Sequence, residues 1–257
     1  MIFPAVPRAW LLLAVSVVAP GVVAQTTPAP ADGRPIDWKK VIPAVASDQK
    51  RIWTFPLRPA RGKHWAPILG IAGITGAMIA ADPHEAPYFR QTGTYKGFNT
   101  VFSGRATHWG TVIVPVSLYA AGLIRKDSYQ QKTALLAGVA AADAAILTVV
   151  MKGATSRLRP RDVSAGGDYG DTWFQSKGNN WLRGHGSFPS GHTMAAFSVA
   201  TVISRRYPQH RRWLPYVAYG LAGVVGFSRV TLSSHFPSEV FAGAALGYSI
   251  GRYAVLR

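Results

Sequence analysis

Apolar residues gather into six segments along the chain: 65–81, 109–124, 133–151, 193–204, 213–228 and 239 to about 255. Strand-type alternation of apolar and polar positions is poor throughout, and Gly and Ala recur inside the runs, which suits closely packed helices. The pattern predicts an all-α protein, a helical bundle of about six core helices with no internal repeat. Ahead of it, Arg8 precedes an apolar run from residue 9 to about 24 ending "VVAQ", the layout of a secretory signal peptide or, uncleaved, of an N-terminal anchor. Residues 25–35, "QTTPAPADGRP", read as a flexible linker, and 36–64 as a mixed polar approach segment without clear periodicity. The expected organisation is a signal or anchor at 1–24, a linker and approach segment at 25–64, and one helical domain at 65–257.

Composition narrows the setting. With 257 residues the chain can bury one sizeable core. Hydrophobic residues make up 48% and charged ones 15%, and the formal charge is +17, which points to an anionic partner: nucleic acid, an anionic membrane surface or a phosphorylated substrate. No nucleic-acid-reading motif occurs and the basic residues are scattered between apolar runs, which disfavours the first. There is no cysteine, so no disulfide and no thiolate metal site. A bilayer span needs about 20 apolar residues. Most of the segments are shorter and the mean hydropathy is +0.11, so a membrane bundle and a soluble one both stay open. Asp143, inside the third segment, is either an interior-facing acid of a membrane helix or a paired carboxylate of a soluble bundle.

Three blocks carry chemistry. The first, Lys152-Gly-Ala-Thr-Ser-Arg-Leu-Arg159-Pro160, ends the third segment. Seven residues are close to two helical turns, so Lys152 and Arg159 face one side if the helix continues. The second, Pro189-Ser190-Gly191-His192, precedes an apolar run and predicts a helix N-terminus, whose free amides and dipole suit an anion. The third holds Ser228-Arg229, His235 six residues further on, and Glu239 four beyond that. Pro237 marks a helix start, which puts Glu239 in a first turn within reach of the imidazole. Two histidines, three cations, a helix N-terminus and an orienting carboxylate match phosphoryl transfer through a phosphohistidine. The eleven acids form no ligand cluster and the histidines lack zinc spacing, which disfavours metal catalysis.

In this order the blocks resemble the type 2 phosphatidic acid phosphatase superfamily, which includes membrane lipid phosphatases, bacterial class A acid phosphatases and vanadium haloperoxidases. The resemblance implies His235 as nucleophile, His192 as general acid and Glu239 as the carboxylate behind His235. It sets Lys152, Arg159, Ser190, Gly191 and Arg229 around the phosphate and implies no metal and no other cofactor. Vanadate enters as an inhibitor, or as the cofactor of a haloperoxidase alternative. The family normally has Asp where Glu239 stands, which implies altered geometry or, alternatively, an inactive phospholipid-binding relative.

The expected activity is metal-independent hydrolysis of a phosphate monoester or pyrophosphate, of a lipid or, alternatively, of soluble esters. The expected partners are that substrate and an anionic membrane surface, without nucleic acid. The expected location is a bacterial-type cell envelope, membrane-associated with the site facing the periplasm or exterior; the alternative is a soluble periplasmic or secreted enzyme. One conflict attends this: an exporting 1–24 followed by three spans would bring Lys152 to the inside. The glycine-rich stretch 161–186, with Trp173, Phe174 and Trp181, reads as a lid or substrate wall, or as a loop packed on the bundle. His185 stands near the second block without an assigned part.

Overall fold

The computed structural model describes residues 34–55, 65–175 and 186–257. The run 1–24, most of the linker, Trp181 and His185 lie outside them. Eight α-helices form among the described residues: α1 Val41–Thr54, α2 Trp65–Gln91, α3 Lys96–Val101, α4 Gly104–Ile124, α5 Ser128–Thr155, α6 Gly191–Arg206, α7 Leu214–Thr231 and α8 Pro237–Ser249. A π-helical stretch, Ile250–Val255, prolongs α8. No strand occurs among the described residues. The six apolar segments correspond to α2, α4, α5, α6, α7 and α8, so the all-α expectation holds.

Helix α6 sits in the middle, packed on α5, α7 and α8, while α4 pairs with α5, and α2 lies against α8. The α6–α8 approach depends on missing side chains. A Cβ on Gly247 would come within 2.2 Å of the Met194 carbonyl oxygen, so any larger residue there would push the helices apart. Leu136, Val139, Met194, Val202 and Val255 form part of the core between these helices.

The described part of the approach segment, residues 36–55, is mostly helical, where the sequence showed no clear periodicity. Helix α1 packs on α5 and on the C-terminal π-helical stretch. It buries Ala44 and Asp48, and Asp48 accepts from Arg34 (2.5 Å) and pairs with Arg257 (3.4 Å). Gln49 Nε2 donates to Asp143 Oδ1 at 2.9 Å. Asp143, with no solvent exposure, therefore belongs to the seam that holds α1.

Helix α2 is inside out. It buries only Asp82 and Ala86, while Leu69 and Ile74 are 64% and 51% exposed. Three stretches, Trp65–Gln91, Gly104–Ile124 and Ser128–Asp162, are long and apolar enough to cross a membrane. They correspond to α2, α4, and α5 with the turn after it.

Candidate active site

Helix directions bring the three blocks to one end of the bundle. The C-terminal ends of α5 and α7 and the N-terminal ends of α6 and α8 meet there. Hydrogen bonds stitch the loops together: the Ser190 amide donates to the Glu239 carbonyl (3.0 Å), the Arg161 amide to the Ser233 carbonyl (3.0 Å) and the Ser187 amide to the Arg157 carbonyl (2.8 Å).

Lys152 and Arg159 do not share a helix face, which corrects the expectation from their spacing. Helix α5 ends at Thr155, and Ser156 takes a left-handed conformation (φ 39°, ψ 37°) that caps it, its amide donating to the Lys152 carbonyl. The chain then runs extended through Arg159 into the Pro160–Asp162 turn. Lys152 thus comes from the helix and Arg159 from the loop. Neither has a hydrogen-bonding or ion-pairing side-chain partner among the described residues. Two partly buried cations without an ion-pairing partner among the described residues leave an electropositive pocket.

Arg229 is 2% exposed and fixed by its neighbours: its Nη2 donates to the Phe102 carbonyl (2.7 Å), and Nε and Nη2 both donate to Ser228 Oγ. The second block starts α6 as expected. The Ser190 hydroxyl is buried against the Thr193 hydroxyl at 2.8 Å, so the amides of Gly191 and His192 are the open donors of this turn. Gly191 has a packing reason as well. A Cβ there would stand 2.7 Å from Thr148 Cγ2, one turn before Lys152 on α5.

Both histidines are held neutral. Burial, reinforced by Arg229, Lys152 and His108, depresses His192 to about 3. Its buried Nε2 has no hydrogen-bond partner among the described residues. Full burial of His235, with Lys152, Arg159, His192 and Arg229 around it, holds that imidazole well below its ordinary value. His235 Nδ1 lies 2.8 Å from Glu239 Oε2, so Nδ1–H directed at the carboxylate leaves Nε2 with its lone pair free. The longer acid therefore reaches the imidazole.

Glu239 is fully buried and bridges two groups. Oε2 faces His235 and accepts from the Phe236 amide (3.3 Å), while Oε1 accepts from Ser187 Oγ (2.5 Å) and from Arg157 Nη1 (3.3 Å). Burial pushes its carboxyl up to about 7, and Arg157, Ser187 and Phe236 pull the other way.

Arg157 was missed by sequence reasoning. It is 1% exposed, pairs with Asp82 of α2 at 2.8 Å, donates to Thr172 and Ser238, and lies between the rings of Trp173 (4.6 Å) and Phe236 (4.0 Å). Trp173 thereby packs its loop onto the bundle, while Phe174 is 78% exposed. His108 of α4, its ring centroid 5.9 Å from that of His192, was also missed. Neither carried a sequence signal: Arg157 falls inside the six-residue gap of the first block and His108 stands alone. Among the described residues no three His, Asp or Glu side chains converge as a metal would require.

An electropositive pocket with two neutral histidines, at one end of a helical bundle, is suited to an anion. Residues 131–256, a stretch that contains all three blocks, match the model of the PAP2 superfamily. A lipid A 1-phosphatase from Porphyromonas gingivalis is 38% identical over 65 residues, covering 25% of this chain and 15% of that protein. Phosphatidylglycerophosphatase B from Bacillus subtilis is 40% identical over 68 residues, covering 24% of this chain and 34% of the relative. The matched stretches thus span a minor part of either curated relative. Among solved structures, the transmembrane PAP2 type phosphatidylglycerolphosphate phosphatase from Bacillus subtilis aligns over 84% of this chain and 94% of its own, with 19% identity and a TM-score of 0.41.

Proposed function

We propose that the protein is a metal-independent phosphatase that hydrolyses a phosphate monoester or pyrophosphate of a lipid through a phosphohistidine on His235. The observation that carries this reading is the convergence of the unpartnered Lys152 and Arg159, together with Arg229, on a neutral His235 whose Nδ1 is engaged by Glu239. The cations and the amides of Gly191 and His192 bind the equatorial phosphoryl oxygens. His235 Nε2 attacks phosphorus, the bond to the leaving oxygen breaks, and His192 delivers the proton that oxygen needs. An empty pocket keeps His192 neutral; the charge of a bound phosphate favours its protonated form. In the second half, His192 takes a proton from water, which attacks phosphorus and frees His235. The names of the two relatives support a lipid as the substrate.

The inside-out surface of α2 supports a membrane setting, since lipid accepts the apolar residues that water would not. Helix directions and charge support an outward-facing site. The ends opposite the site carry Lys39 and Lys40 ahead of α1, Arg125 and Lys126 between α4 and α5, and Arg205, Arg211 and Arg212 around the turn from α6 to α7. Short basic loops stay on the cytoplasmic side. Three crossings by α2, α4 and α5 then bring Lys152 outside. In this topology α1 remains inside.

The test is phosphate release by purified protein in detergent with excess chelator, offered a lipid phosphate panel beside a soluble aryl phosphate. Release that survives chelation and vanishes in His235→Ala is the expected result. Release that persists in folded His235→Ala, or that needs an added metal, would overturn the mechanism.

A further inference from the structure

Helices α4 and α7 flank α6, and between them runs an apolar groove, open to one side, with a cavity volume of about 110 Å³. Its placement relative to the site is regular. On α6 the lining residues Ala196, Ala200 and Ile203 follow His192 by 4, 8 and 11 positions, so they occupy the helix face that carries the imidazole. On α7, Val225, Ala222 and Ala218 precede Arg229 by 4, 7 and 11 positions and share its face. On α4, Thr111 lies one turn beyond His108, and Phe102, whose carbonyl accepts from Arg229, lines the same groove. All three helices therefore present a site residue at the top and a groove-lining row directly below it.

The groove owes its space to small side chains. Gly110, Ala196, Ala200, Ala218 and Ala222 stand where larger residues would close it. From Arg229 down to Leu214 the wall is roughly 22 Å long, and Ala218 lies roughly 16 Å below the arginine at about 1.5 Å per residue. That depth is close to half of a hydrocarbon core about 30 Å thick. One occupant fits a cationic pocket continued by an apolar channel of this depth: an amphiphile with a phosphate at one end and a long hydrocarbon tail.

We propose that the groove between α4 and α7 is the tail-binding subsite of the lipid phosphate, with α6 as its floor, and that it sets a preference for long chains. This rests on the phosphatase reading for its head-group end alone. A tail that reaches Ala218 gains burial along the whole groove, and a short one gains only the part near the phosphate.

Two measurements test it. In the first, Ala200→Phe and Ala218→Trp fill the groove below the site, and kcat/KM is compared for dipalmitoyl phosphatidic acid, dihexanoyl phosphatidic acid and an aryl phosphate. The expected result is a loss of about tenfold on the dipalmitoyl substrate, equivalent to about two buried methylenes, with the aryl phosphate within about twofold of wild type. Equal losses on all three, or an unchanged chain-length preference, would overturn the proposal.

The second needs no turnover. A phosphatidic acid with a diazirine near the end of its tail is photolysed with the His235→Ala protein. Labels are expected on the lining of α4, α6 or α7 and should be displaced by excess phosphatidic acid but not by phosphatidylcholine. Equal displacement by phosphatidylcholine would mean that bulk lipid fills the groove, and labels elsewhere would place the tail elsewhere; either sinks the assignment. Selective labelling without hydrolysis of any substrate by wild-type protein would retain the groove and reject the phosphatase reading.

Discussion

Within eight residues the chain treats its cations in two opposite ways. Arg157 is surrounded: two carboxylates, two hydroxyls and two aromatic rings take up its guanidinium. Lys152 and Arg159, on either side of it in sequence, are partly buried and have no ion-pairing partner among the described residues. A buried pair left whole costs little, whereas a buried charge left alone is expensive. The bundle therefore tolerates an unfavourable arrangement at the two positions that face His235 and avoids it at the one that faces away. Arg157 builds the site, and Lys152 and Arg159 are what the site offers to an anion.

Substitutions should separate these roles. The largest effect on folding is expected from Arg157→Met, which leaves Asp82 and Glu239 buried without their cation. A loss of about 3–5 kcal/mol is expected, read as a lowered Tm in detergent, with activity lost along with it. Lys152→Met should do the reverse: an unchanged or raised Tm, because an uncompensated charge is removed, and a fall in kcat of about 10²- to 10³-fold, the scale of losing one transition-state donor. If both variants lost stability alike, Lys152 would have a structural partner and the distinction between the two classes would collapse.

Glu239→Asp sharpens the comparison at the junction of the two sets. The glutamate spans from Arg157 to His235 with one oxygen for each, at 3.3 and 2.8 Å. An aspartate is one methylene shorter and cannot hold both. The expected outcome is a fall in kcat of about 10- to 10²-fold, since an ångström of misplacement has that scale, together with a small drop in Tm. A rise in activity would instead mean that the glutamate holds His235 out of line.

What the sequence disclosed follows the same division. His192, Arg229, His235 and Glu239 were legible because their spacing is local: Pro237 starts a helix, and four residues bring a first-turn acid to an imidazole. Arg157 was not, because its meaning depends on Asp82, 75 residues earlier on α2. That helix runs through Pro83 and Pro87, where the apolar run had suggested a stop near residue 81. Helix α1 was illegible for a related reason. Its buried stripe includes Asp48, satisfied by Arg34 and Arg257 from distant positions, so an acid interrupts the hydrophobic period that would have announced a helix. Contacts across long sequence separations decide both cases, and no local pattern encodes them.

The smallest expected effect is a pH dependence of stability. His192 sits at about 3 in the fold against 6.5 for a free imidazole, so the unfolded chain binds more protons between these values. The stability involved is complete above 6.5 and is lost as pH falls toward 3, and His235, also depressed, acts in the same sense. Glu239, raised from 4.5 to about 7, acts in the opposite sense: its contribution is complete below 4.5 and is lost as pH rises toward 7. Between 4.5 and 6.5 the two histidines are opposed by Glu239 and by other buried acids such as Asp48, whose carboxyl burial also raises, so the histidine share is read as a difference: acidification should lower the Tm of the wild type more than that of His192→Gln. Inorganic phosphate should flatten the wild-type response too, because an anion between Lys152 and Arg159 favours the imidazolium; in Lys152→Met that flattening should be weaker. A wild-type slope no steeper than that of His192→Gln would mean that His192 is not held among uncompensated cations, and the contrast between the partnered and the open charges would lose its support at the catalytic histidine.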